Sequence, residues 1–262
     1  MKVGLGYRRE LAEWIATKSP GMDCLEITAD HFFNGGEKPL SQLSEKFDLF
    51  VHGLSLSLGT PGPLDARRLE QFARVVRMAN PSWVSEHIAF TRTGEVDLGH
   101  LNPVPLTRES LGTIADHARE VSDRCQKPML LENITSHLQL PGDLPEPDFL
   151  NELCERAGCG LLLDVTNLFI NSRNHGFDPI KWLHALEPSR IKQLHIVGYS
   201  RAGTRYTDSH AQPIQDELIE LAKAVVRYAP VEAIILERDE DFADLIAIEL
   251  EMQKLEHIRG PH

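Results

Sequence analysis

The sequence predicts a (β/α)8 barrel, on three observations. Eight short, apolar, β-branched runs recur along the chain, amphipathic stretches separate them, and 262 residues is the length such a barrel requires. The strands fall in order near residues 2–6, 23–28, 48–52, 83–88, 128–132, 160–165, 192–197 and 233–237. Several, notably GLLLDV at 160–165 and AIILE at 233–237, are apolar almost throughout, as parallel strands covered on both faces must be. Helices are expected over Leu64–Ala79, Thr107–Cys125, Pro147–Ala157, Ile214–Tyr228 and Phe242–His257, where apolar residues return at three- and four-residue steps. The first two connections carry a weaker periodicity. The segments GLSLSLGTPGP, from Gly53, and AFTRTGEVDLGHLNPVP, from Ala89, are rich in Gly and Pro, follow strand ends, and read as long loops bordering one face. With no internal repeat or low-complexity tract, a single domain over residues 1–262 is expected.

Composition narrows the function. A hydrophobic fraction of 42% supplies one large core, and 27 basic against 39 acidic residues leave a net charge of -12, which repels a phosphate backbone and disfavours nucleic acid as a partner. No run approaches the roughly 18 apolar residues of a membrane span, and MKVGLGYRRE turns polar too early for a secretory signal. A soluble cytoplasmic protein with no membrane partner is the expectation. Cys24, Cys125, Cys154 and Cys159 form no C-x-x-C pair and read as reduced structural thiols.

The chemistry sits at the strand ends. Six runs finish on a residue that can bind metal: His52, His87, Glu132, Asp164, His195 and Glu237. Asp208 and His210, in TDSH, follow the His195 strand. Any one of them alone reads more simply as a hydrogen-bonded histidine or a helix-capping aspartate. Together they converge on one barrel mouth, where unpaired burial would cost several kcal/mol each and shared cations remove the cost. Four imidazoles and four carboxylates are too many for one ion, and carboxylates can bridge neighbouring ions, so two or three are expected. The mixed donor set suits Fe, Mn or Zn, and the lack of cysteine argues against a structural zinc centre.

Nearby residues read more weakly. Asn133 and Asn167 are either outer donors and weak oxygen ligands or turn and capping residues. Strict alternation turns Glu86 away from His87, into a structural salt link. Glu26 could orient a ligand imidazole or bind substrate, and His175 reads as packing within the loop after Asp164. GLGYRR lacks the spacing of a phosphate loop, and Ser55 or Ser57 caps a turn more readily than it acts as a nucleophile.

The segments HGLSLSLG, VSEHIAF, LLENITSHL, CGLLLDVTNLFINSRNHGFDP, LHIVGYS, DSHAQPI and LERD run in order from His52 to Asp239. Together they resemble the family of multinuclear non-haem iron-dependent oxidative enzymes, xylose-isomerase-like TIM barrels that modify ribosomally made peptides in the methanobactin and 3-thiaglutamate pathways. The resemblance implies that His52, His87, Glu132, Asp164, His195, Asp208, His210 and Glu237 bind iron, with Asn167 beside them, and that Asp208, His210 and Glu237 stand nearest the reaction. It further implies two or three irons in mixed Fe(II)/Fe(III) states, O2 as co-substrate, a cysteine of a precursor peptide as the group oxidised, and a small leader-recognition protein as heterodimer partner. A three-zinc phosphodiesterase of the endonuclease IV type shares a similar ligand order, but Asn167 stands where that group offers a zinc-binding histidine. A sugar isomerase or epimerase needs only one or two divalent ions and a base such as Glu132 or Glu237.

Overall fold

A computed structural model of the chain describes residues 1–18, 22–35, 37–94 and 96–259. The expected span 1–262 therefore includes a few positions outside the described residues. In chain order the elements are β1 (Lys2–Gly6), α1 (Ala12–Lys18), β2 (Cys24–Thr28), α2 (Glu37–Ser44), β3 (Asp48–His52), α3 (Ala66–Ala79), β4 (Val84–His87), β5 (Ala89–Thr93), β6 (Val96–Pro103) and α4 (Arg108–Cys125). There follow β7 (Met129–Glu132), α5 (Glu146–Ala157), β8 (Gly160–Asp164), α6 (Val165–His175), α7 (Pro179–His184), β9 (Ile191–Ile196), β10 (Gly198–Ala202), β11 (Arg205–Gln212), α8 (Asp216–Tyr228), β12 (Ala233–Leu236) and α9 (Leu245–Arg259).

Eight parallel strands close on themselves in the order β1-β2-β3-β4-β7-β8-β9-β12. Closure leaves no unpaired edge, and each strand lies within one or two residues of its predicted place. Alternation then sorts side chains. Leu25, Ile27, Leu49, Val51, Leu161, Leu163, Ile234 and Leu236 join the main core between barrel and helices. Cys24, Phe50, Ala233 and Ile235 pack inside the barrel against Trp83, whose ring stacks on Phe50 with centroids 4.4 Å apart. Continuing the inward positions up each strand leads from that apolar plug to Glu26, His52, His195 and Glu237, so the polar residues collect at the C-terminal mouth.

The helices are bounded as their sequences dictate. Asp65 accepts from the amides of Arg67 and Arg68 at the start of α3, and Thr107 with Ser110 forms a reciprocal capping box on α4. All four cysteines are buried and free. No described helix is long and apolar enough to cross a membrane.

Two expectations are corrected. The segment read as a long loop from Ala89 is an antiparallel hairpin, β5–β6, turning at Gly94 with φ 55°. A second hairpin, β10–β11, follows β9 and turns at Gly203 with φ 63°. Both stand above the barrel with largely wetted faces, so they carry polar residues and lack the apolar signature of barrel strands. The segment after Asp164 is helix α6, not loop, and His175 is its last residue.

Candidate metal centre

Register brings the strand-end groups together. His87 lies beside Glu132 across β4 and β7, Asp164 beside His195 across β8 and β9, and Ile235 pairs with His195, which brings Glu237 over from β12. Glu237 stands one residue past its strand but extends the ladder, its amide donating to Ile196 O at 3.1 Å.

Three barrel histidines have one ring nitrogen tied outside the cluster and one facing it. His52 Nδ1 lies 2.8 Å from Ser85 Oγ, while its Nε2 is 3.3 Å from both His87 Nε2 and Glu132 Oε2. His87 Nδ1 is 3.0 Å from Glu86 Oε1, leaving Nε2 3.4 Å from Glu132 Oε2. His195 Nε2 is 2.6 Å from Glu26 Oε1, so its Nδ1 is the inward atom, 3.0 Å from Glu132 and 3.1 Å from Glu237. Imidazoles held this way by an outer acceptor are the usual support of a metal site. Glu86 does form a salt link, but the expectation that it turns away from His87 is corrected: its long side chain reaches back to the His87 amide and ring while its other oxygen accepts from the Leu56 amide. A Cβ at Gly53 would come within 2.6 Å of Glu86 Oε2, so the glycine keeps that space open.

The donor atoms form three groups among the described residues, each within 4.8 Å: His52, His87 and Glu132; Glu132, Asp164, His195 and Glu237; and His210, Glu237 and Asp239. Glu132 is shared by the first two and Glu237 by the last two. Such a chain of groups could hold up to three cations bridged by two carboxylates. Asp208 lies at the third group's edge, 2.7 Å from His210 Nε2. Asp239, which is within 3.1 Å of His210 Nδ1 and also bonds Arg8, is a site residue that the strand-end pattern misses. The available signal is its place two residues after Glu237, on the same side of an extended segment.

Unmet bonding marks the same atoms. Among the described residues, Glu132 Oε2 and Asp208 Oδ1 are buried without a hydrogen-bond partner, as are a few side-chain atoms outside the cluster such as Ser55 Oγ and Arg238 Nε. Orphaned donors and acceptors of this kind are costly unless a cation engages them. His210 also adopts φ 50°, an unusual backbone for a residue with a side chain.

Electrostatics agree. Burial raises the Asp164 carboxyl far above its usual range, with Glu132 and Asp208 adding repulsion, and burial likewise raises Glu132. Burial opposes the His87 cation, yet Glu132 and Glu86 outweigh it and push it up to about 9. Burial, with His87 and His195 close by, holds His52 well below its ordinary value. For Glu237 burial acts upward, but His195 and His210 prevail and hold it low. The Asp164 and Glu132 carboxyls and the His87 ring thus favour a proton more than their ordinary values would, and a bound cation would compete with it.

Asn133 and Asn167 act on the frame. Asn133 clamps the main chain of Asp164, donating to its oxygen at 3.0 Å and accepting from its amide at 2.9 Å. The Asn167 amide caps onto Asp164 Oδ1 at 2.8 Å, its side-chain oxygen accepts from Thr135, and its Nδ2 donates to Asn133 O at 3.2 Å. His175 packs through a 2.7 Å bond to Ser136 O. All nine candidate residues except the fully buried His195 line one cavity of about 660 Å³. Ser57, with φ 59°, accepts from the amides of Thr91 and Arg92 and shapes the turn, as read from sequence.

A closed parallel barrel with chained His and carboxylate groups at its C-terminal mouth defines the class, a xylose-isomerase-like barrel with a candidate polynuclear metal site. Its solved likenesses share that fold: D-psicose 3-epimerase with D-tagatose from Clostridium cellulolyticum (TM-score 0.68, 13% identity, 99% of this chain and 98% of that chain) and endonuclease IV from Thermus thermophilus (0.63, 15%, 98% and 100%). Residues 2–259 match the family model described as RiPP precursor modification enzyme MbnB/TglH/ChrH, and the chain belongs to that family of peptide-modifying enzymes. It is 34% identical to the UPF0276 protein of Chromobacterium violaceum, over 98% of this chain and 94% of that one. The UPF0276 protein of Caulobacter vibrioides is 33% identical, over 92% and 88%.

Proposed function

We propose that this chain is an iron- and O2-dependent oxidase that modifies a cysteine of a ribosomally made precursor peptide, working with a leader-binding partner protein. The observation that carries the reading is the double sharing of Glu132 and Glu237, which suits ions held as a bridged set rather than one isolated ion. His52, His87, Glu132, Asp164, His195, Asp208, His210 and Glu237 are the proposed ligands, with Asn167 alongside. Bound there, iron supplies with oxygen the electron transfer that no side chain of this chain provides.

The chain's own residues do the rest. Glu26 and Glu86 accept from His195 and His87, set which ring nitrogen faces inward, and raise its basicity. The apolar plug below and the mouth hairpins above border the cavity, whose volume of about 660 Å³ would take a side chain of the peptide beside Asp208 and His210. Asn167 and the net charge of -12 count against an endonuclease IV-type reading, and an isomerase would leave the third group without a task.

Purification under low oxygen, followed by metal analysis, Mössbauer spectroscopy and oxygen uptake with a cysteine-containing precursor, tests the proposal. Two or more irons per chain with thiol-dependent uptake is the expected result. Stoichiometric zinc with abasic-site cleavage would overturn it.

A further inference from the structure

We infer that the apolar cavity behind Ile134 is a second pocket of the same site, receiving an apolar side chain that flanks the reacting cysteine; this rests on the peptide-oxidase reading. The pocket has a volume of about 480 Å³, within the range of small-ligand sites. Ile134 lines both this pocket and the metal cavity, so the two adjoin at that side chain. An extended peptide advances about 3.3 Å per residue, so side chains one or two positions apart reach adjoining pockets.

The junction is built and held. Ile134 stands two residues after Glu132, and Asn171 of α6 ties its segment down, donating to Ile134 O at 2.9 Å and accepting from the Ser136 amide at 2.9 Å. A pocket preformed in this way binds without first ordering a loop. Its lining selects apolar matter: Val104, Leu106, Phe149, Phe177 and Trp182 surround it, and Leu138 and Leu140 on the flanking segment are 64% and 37% exposed. Glu146 also lines it, but burial raises its carboxyl above the usual range and Trp182 Nε1 donates to it at 2.9 Å. A charged guest would have to shed its water there, whereas an aliphatic or aromatic one gains by doing so.

The test uses the full chain loaded with zinc, so that methyl NMR spectra stay diamagnetic, and N-acetyl-L-phenylalaninamide as the probe, with N-acetylglycinamide as control. Saturable shifts of the Ile134, Leu138 and Leu140 methyl signals are expected with the first and not the second. Leu140→Glu, at the half-exposed rim, weakens the probe at least tenfold, while Ile246→Glu, on the 72% exposed outer side of α9, leaves it unchanged. Equal binding of both amides, absence of saturable shifts, or an unaltered affinity in Leu140→Glu overturns the pocket. The probe has no thiol and the assay no oxygen, so failure of oxygen uptake sinks the oxidase reading without touching this result. Cysteine peptides with Leu beside the cysteine are then expected to be turned over at least tenfold more efficiently than those with Gly, and parity would remove the flanking position from the proposal.

Discussion

Glu26 is 3% exposed and accepts from His195 and Gln193, an arrangement that costs desolvation and returns a fixed imidazole. Glu26→Gln is expected to weaken metal binding about 10–100-fold, the usual penalty for losing an outer carboxylate, while circular dichroism remains unchanged. Asp208→Ala and His210→Ala should deplete bound metal and abolish oxygen uptake without unfolding the barrel; a fully loaded, active variant would displace the hairpin from the site. His87 makes a pH prediction. Its folded pKa, about 9, lies above the ordinary value of 6.5, so in metal-free protein its contribution to stability is complete below pH 6.5 and is lost as pH rises through about 9. Urea midpoints measured in chelator across that window should fall with pH. In metal-loaded protein the slope should vanish, because a bound cation takes the place of the proton.

The β10–β11 hairpin shows how an element carries ligands that the barrel cannot. It lies over α6, with Tyr199 stacked on Phe169 at 5.2 Å, and Asn174 Nδ2 donates to Tyr206 O at 2.8 Å. Arg238 and Glu251, both buried and paired to each other, fasten the chain where it leaves the hairpin, through Ala211 O and the Ile214 amide. At its base, a Cβ on Gly198 would meet Pro213 O at 2.1 Å and Gln212 O at 2.3 Å, both rigid backbone atoms. Gly198→Ala should therefore destabilise by about 1–3 kcal/mol and lower metal content together, read by thermal unfolding and metal analysis. A loss of stability with full metal content would mean the hairpin does not govern His210.

On the proposed reading, metal binding is coupled to the fold across the barrel, because the three candidate groups draw residues from six different barrel strands or strand ends, from β11 and from the segment after β12. A cation binding only the folded chain stabilises it by mass action, about 2.7 kcal/mol at a hundred times its Kd. Chelation should thus lower Tm by several degrees, and readdition of the metal should restore it. An unchanged Tm would mean that the cluster binds no metal.

Much of this was legible in the chain itself. Short, nearly continuous apolar runs ending in His, Asp or Glu specify both the barrel strands and the rim they reach, because a closed parallel sheet is covered on both faces and tolerates polar side chains mainly at its ends. Six of the eight ligand candidates follow from that pattern; Asp208 and His210 come from the polar segment after the His195 strand, which the structure places on the β10–β11 hairpin. Three things were decided only by tertiary structure. The hairpins were hidden because their wetted strands carry no apolar period, and the reach of Glu86 to His87 was hidden because alternation fixes where a side chain starts and not where a long one ends. The sharing of Glu132 and Glu237, and the entry of Asp239, depend on the register between strands far apart in sequence. A sequence pattern records which face a side chain takes; which neighbours it meets there is set by closure of the sheet, a long-range condition that no local run of residues contains.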